Sequence, residues 1–74
     1  MAIDHDRDNE VYKWLNDKVG LPQYYDTFVR NGFDDMEIVV DLLVDDLTEI
    51  SVDKPGHRKK IMKYVELSSA LHEL

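Results

Sequence analysis

The sequence predicts an all-α domain of five helices, two of them short, with a long C-terminal helix packed across the others. Three observations predict it. Apolar residues recur at helical spacing in segments divided by Gly and Pro stop signals. The last third, Asp53 to Leu74, reads as one long helix with a marked start. The β-branched run Ile38-Val39-Val40 has no second strand candidate to pair with, and a lone strand is not stable.

The first eight residues, Met1 to Asp8, are polar and acidic and read as a flexible leader ahead of a single domain over 9–74. Helix one spans Asn9 to Val19, with Asn9 as its cap and Val11, Trp14, Leu15 and Val19 on one apolar face. Trp14 falls on that stripe, which makes it a core anchor rather than a ligand platform. Gly20 stops the helix and Leu21-Pro22 leads into the second, which ends at Asn31-Gly32, a left-handed turn signal. Tyr24, Tyr25, Phe28 and Val29 are available there for burial. Asp34 or Asp35 caps a turn or two through Met36, Ile38, Val39 and Val40, and Asp45 stands near the start of the short helix ending at Ile50. In the last helix Asp53 is placed to cap and Pro55 falls in the first turn, where its missing N–H is not needed. Ile61, Tyr64, Val65, Ala70 and Leu71, closed by Leu74, form the stripe expected to face the domain.

Charge is distributed in blocks. The 74 residues carry a net charge of −7. From Asp34 to Asp53 there are eight acidic residues and no basic one; the next ten positions hold five basic residues and no acidic one. Lys54, Arg58, Lys59, Lys60 and Lys63 thus crowd a helix start, where the backbone dipole mildly disfavours cations, by a few tenths of a kcal/mol each. A solvated face is the plain account of a charge run. The unfavourable sign favours a docking surface for an acidic partner, and such asymmetry bears on association rather than fold.

Other classes are narrowed by absences. Without cysteine there is no disulfide framework or thiolate metal site, no apolar run approaches membrane-spanning length, and the N-terminus is unlike a signal peptide. A cytoplasmic protein or domain is the expectation. His5, His57 and His72 are dispersed, and no metal, phosphate-loop or nucleophile motif accompanies them, so neither catalysis nor a cofactor is expected. The net charge opposes approach to nucleic acid and to anionic lipid.

The residues in order then resemble the sterile alpha motif (SAM) domain family. The resemblance rests on Val11-x-x-Trp14-Leu15, Gly20-Leu21-x-x-Tyr24, Phe28-x-x-Asn31-Gly32-Phe33-Asp34-Asp35, Leu42, Asp46-Leu47-x-x-Ile50-x-Val52 and Gly56-His57-Arg58-x-Lys60-Ile61. Together these cover residues 11–61. The segment Asn31 to Asp35 is most similar to SAM domains of inositol phosphatases and ankyrin-repeat scaffolds that pair with Eph receptor SAM domains. One departure is Ser51, where the family usually has glycine; if the turn needs a positive φ, serine costs on the order of 1 kcal/mol there.

The resemblance implies a compact five-helix bundle without enzymatic activity, a protein-interaction module of signalling and scaffolding proteins. It implies head-to-tail association with another SAM domain, as homo-oligomer, polymer or hetero-complex. The acidic mid-loop surface would comprise Phe33, Asp34, Asp35 and Glu37, extending to Asp41, Asp45 and Asp46. The basic end-helix surface would comprise Lys54, Pro55, Gly56, His57, Arg58, Lys59 and Lys63, with Arg58 able to fork onto a carboxylate. These sets coincide with the two charge blocks read independently. Some SAM domains resemble an RNA-hairpin binder using the same basic helix start, which is the alternative reading.

Overall fold

Asn9 opens the first helix, its side-chain oxygen accepting from the Val11 N–H at 2.7 Å. This satisfies one of the donors that a helix start leaves unpaired. The computed structural model describes residues 9–72; the acidic leader and Leu74 lie outside them. Helix α1 (Glu10–Lys13) widens without a break into a π-helical turn (Trp14–Val19). Lys18 follows Val11 by seven positions, so in an unbroken α-helix it would return to within about 20° of Val11, inside the apolar stripe. The extra residue in the turn leaves Lys18 exposed and Val19 fully buried. Gly20, at φ 78°, closes the turn, and the Leu21 N–H reaches back to the Leu15 carbonyl at 2.8 Å.

A 3₁₀ turn (Pro22–Tyr24) runs into α2 (Tyr25–Arg30), so the predicted second helix is present with a tightened first turn. Its end is a Schellman motif. Gly32 takes φ 89°, the Phe33 N–H bonds the Phe28 carbonyl at 2.8 Å, and the Gly32 N–H bonds Val29 at 3.1 Å. The rings of Phe28 and Phe33 meet at 6.0 Å, the apolar contact that accompanies this cap. Phe28 is wholly buried, while Tyr24, Tyr25 and Val29 are half-buried.

Helix α3 (Met36–Val39) is one turn, capped by Asp35, whose carboxylate accepts from the Glu37 N–H at 2.9 Å. Helix α4 (Val44–Glu49) follows, and its end repeats the Schellman pattern with Ser51 in the left-handed position at φ 70°. The Val52 N–H bonds Leu47 at 2.9 Å and the Ser51 N–H bonds Thr48 at 3.1 Å. Ser51 is the only non-glycine with positive φ among the described residues, so the strained turn expected from the missing glycine is the one observed.

Helix α5 (Pro55–His72) completes the five-helix bundle. The Arg58 N–H bonds the Lys54 carbonyl at 3.0 Å, so Lys54 occupies the cap position. The predicted Asp53 cap is not formed: Asp53 stands one residue too early, is exposed, and makes no hydrogen bond to the helix among the described residues. Ile61 and Val65 are buried with Met62 and Tyr64 half-buried beside them, but Ala70, predicted to face inward, is exposed. The side chains of Leu71 and Leu74 lie outside those described. The core is apolar throughout its described residues. Trp14 is nearly buried and its indole N–H donates to Ser68 Oγ at 2.8 Å, joining α1's π turn to α5 as a core anchor should.

Candidate functional site

The acidic block surrounds the loop between α2 and α3. Phe33 is half-buried because the Schellman turn holds its backbone and Phe28 supports its ring. Asp34, Asp35, Glu37 and Asp41 are exposed, and with Gly32 and Ile38 they line an open concavity of about 580 Å³. Two bonds tie this loop to the start of α1. Glu10 Oε2 accepts from the Met36 N–H at 3.4 Å, and the Asn9 side chain donates to the Asp34 carbonyl at 3.5 Å. Asp45 is exposed on α4, whereas Asp46 is half-buried and accepts from the Leu43 N–H at 2.8 Å.

The basic block stands at the start of α5. Lys54, Pro55, Gly56, Lys59, Lys60 and Lys63 are exposed, and a Cβ on Gly56 would meet nothing within 4 Å, so the backbone there is open to approach. Lys60 Nζ lies 3.3 Å from where a Cβ on Gly20 would stand, over the negative end of α1's π turn. His57 is half-buried against Tyr24: Nδ1 and the Tyr24 hydroxyl share a 2.5 Å hydrogen bond and the rings meet edge to face at 5.4 Å. Burial first, and then the Asp53 charge, push the Tyr24 hydroxyl above its ordinary pKa.

Arg58 has a role that the sequence did not suggest. One of its guanidinium nitrogens donates to the Val52 carbonyl at 2.8 Å, and the other to Thr48 Oγ1 at 2.9 Å and the Val44 carbonyl at 3.3 Å. Its fork is spent inside the domain, bracing α5 against α4, instead of being held free for a partner carboxylate. No local signal marks this, because two of the three acceptors are backbone carbonyls, that of Val52 in the Schellman turn and that of Val44 in the first turn of α4.

The two blocks do not neutralise each other. Among the described residues no ion pair joins them; Asp26 and Arg30, 3.0 Å apart and both exposed, pair within α2.

The family model of the SAM domain (sterile alpha motif) matches residues 4–68. The chain belongs to the SAM domain family. SAM domains are non-catalytic interaction modules, and the described part of this one contains no helix long and apolar enough to cross a membrane. This SAM domain is 45% identical to human Caskin-2 over 53 residues, 72% of this chain and 4% of that protein. It is 41% identical to rat Caskin-1 over 61 residues, 77% of this chain and 4% of that protein. To human phosphatidylinositol 3,4,5-trisphosphate 5-phosphatase 2 it is 36% identical over 55 residues, 74% of this chain and 4% of that protein. The SAM domain therefore spans a small fraction of the length of these relatives. No solved structure gives a significant match to it.

Proposed function

We propose that this SAM domain binds other SAM domains head to tail, its acidic surface meeting the basic helix start of a neighbour. The observation that carries the reading is that opposite charge blocks stand exposed on different elements with no ion pair between them among the described residues. Phe33 supplies an apolar anchor, and Asp34, Asp35, Glu37 and Asp41 supply the surrounding charge, with Asp45 beyond them. Asp46 contributes its field, its carboxylate being occupied by Leu43. On the other side Lys54, Lys59 and Lys63 make the electrostatic contact beside Pro55 and Gly56. His57 and Arg58 shape that surface by bracing it.

Both surfaces occur on one chain, so contact between like copies is heterologous and repeats into an open filament unless the rotation closes it into a ring; with one competent surface the product is a one-to-one complex. A small polar interface of this kind is weak, in the micromolar range, with salt-sensitive association. The role that follows is oligomerisation within a scaffold or signalling protein, in the cytoplasm. Sedimentation of Asp34→Lys/Asp35→Lys and of Lys59→Glu/Lys63→Glu tests it. Each variant should sediment as a monomer alone, and the two should pair when mixed. If both behave as the parent chain does against every SAM domain tried, the surface assignments fail. Steeply salt-dependent binding of one RNA hairpin, lost in Lys59→Glu/Lys63→Glu, would favour the RNA reading instead.

A further inference from the structure

Leu43 breaks two local rules at once. It holds the cap position of α4, where a side-chain acceptor is wanted and leucine is among the poorest choices. It is also 64% exposed, with Val44 beside it at 49%. Asp46 pins the Leu43 N–H at 2.8 Å, so the leucine is displayed from an anchored backbone. Asp46 restores only the backbone N–H half of the cap, and nothing among the described residues covers the exposed leucine, the pattern expected where a residue serves something outside the fold.

Leu43 is one wall of an open groove of about 500 Å³ between the α3–α4 connection and the stretch of α5 from Met62 to Ala70. Val40, Leu42, Met62, Val65 and Ala70 supply the rest of its apolar lining, and Asp41 and Glu66 stand exposed on its rim. No basic residue lines it among the described residues. Asp41 alone is shared with the acidic concavity around Gly32 and Asp34, so the two surfaces adjoin without coinciding. From Met62 to Ala70 the α5 wall runs about 12 Å, a little over two helical turns.

We propose that this groove receives a basic amphipathic helix of another protein, beyond the SAM–SAM contact proposed above. Its apolar anchors, a turn apart, lie between Leu43 and α5, and flanking Lys or Arg residues meet Asp41 and Glu66. The acidic rim that Asp41 and Glu66 form selects that sign and repels both an acidic helix and an anionic membrane.

The probe is a helical lysine–leucine peptide of about four turns, leucines on one face, titrated into the labelled 74-residue chain and followed by NMR; its control carries glutamate for every lysine. The lysine peptide should shift Val40, Leu42, Leu43, Met62 and Ala70, and the glutamate peptide should not bind. Leu43→Ser separates groove from bulk charge, since it removes the anchor, keeps the net charge and improves the cap. That variant should melt about 5 °C higher and yet bind about tenfold more weakly. Shifts centred on Gly32 to Ile38 with affinity unchanged in Leu43→Ser would reduce the binding to general attraction and overturn the proposal. Absence of binding would overturn it too. So would concentration-dependent shifts at the groove residues without peptide, because the occupant would then be a second copy.

Discussion

Replacing Ser51 by glycine should stabilise the domain. At φ 70° an L-residue pays roughly 1–2 kcal/mol for the left-handed conformation. Glycine removes that cost but returns about 0.4–1 kcal/mol through the greater freedom of the unfolded chain. Ser51 is exposed and its side chain makes no hydrogen bond among the described residues, so the substitution forfeits nothing else. The bonds closing the turn, Ser51 N–H to Thr48 and Val52 N–H to Leu47, are backbone and survive. The net gain is about 0.5–1 kcal/mol, or about 2–8 °C in Tm for a domain of this size. Urea unfolding should show a higher midpoint at unchanged slope, since the surface exposed on unfolding is the same. The reverse change at the matching turn, Gly32→Ser at φ 89° with open space around it, should lower the midpoint by a similar amount. A lower midpoint for Ser51→Gly, or no effect at either site, would refute the strain account of both turns.

Arg58→Lys should cost about 1–2 kcal/mol in thermal unfolding, because an ammonium cannot span the three oxygens that the guanidinium holds. Tyr24→Phe should cost about 0.5–1.5 kcal/mol by losing the bond to His57. It should also change the alkaline limb of stability. The folded Tyr24 pKa is raised above its ordinary value of 10.0, so its contribution is complete below about pH 10 and is lost as pH rises through the folded value; the phenylalanine variant should lack that part of the decline. Trp14→Phe should destabilise by about 1–3 kcal/mol, since it removes ring volume and leaves Ser68 Oγ without its donor, and guanidinium unfolding will read this.

The helices that the sequence made plain are those with a stop signal at each end. Asn9 caps, Gly20 and Gly32 take positive φ, and Asp35 caps α3 as its position between Phe33 and the apolar run suggests. The β-branched run was the point of ambiguity. It is helical because α3 needs only one turn and buries Val39 while Ile38 stays at the surface. The π turn was not legible, since periodicity names Val19 as apolar without saying that the helix must widen to bury it. The Asp53 cap failed by one residue, a displacement that a Pro-Gly start does not reveal. Of the charged surfaces, the exposure of Asp34, Asp35, Lys59 and Lys63 followed from the sequence pattern. The engagement of Arg58 and the display of Leu43 did not, because each depends on where a distant loop comes to rest.

The guanidinium of Arg58 has a geometric consequence. It ties the start of α5 to α4 and the turn that follows, helping to hold the angle between the two helices and the direction in which the basic block faces relative to the acidic one. Any filament built through both poles inherits its pitch from that angle, and a small deviation in one copy is multiplied along the strand. A looser brace at this position would bend or shorten such a strand as well as disturb the basic surface that it shapes.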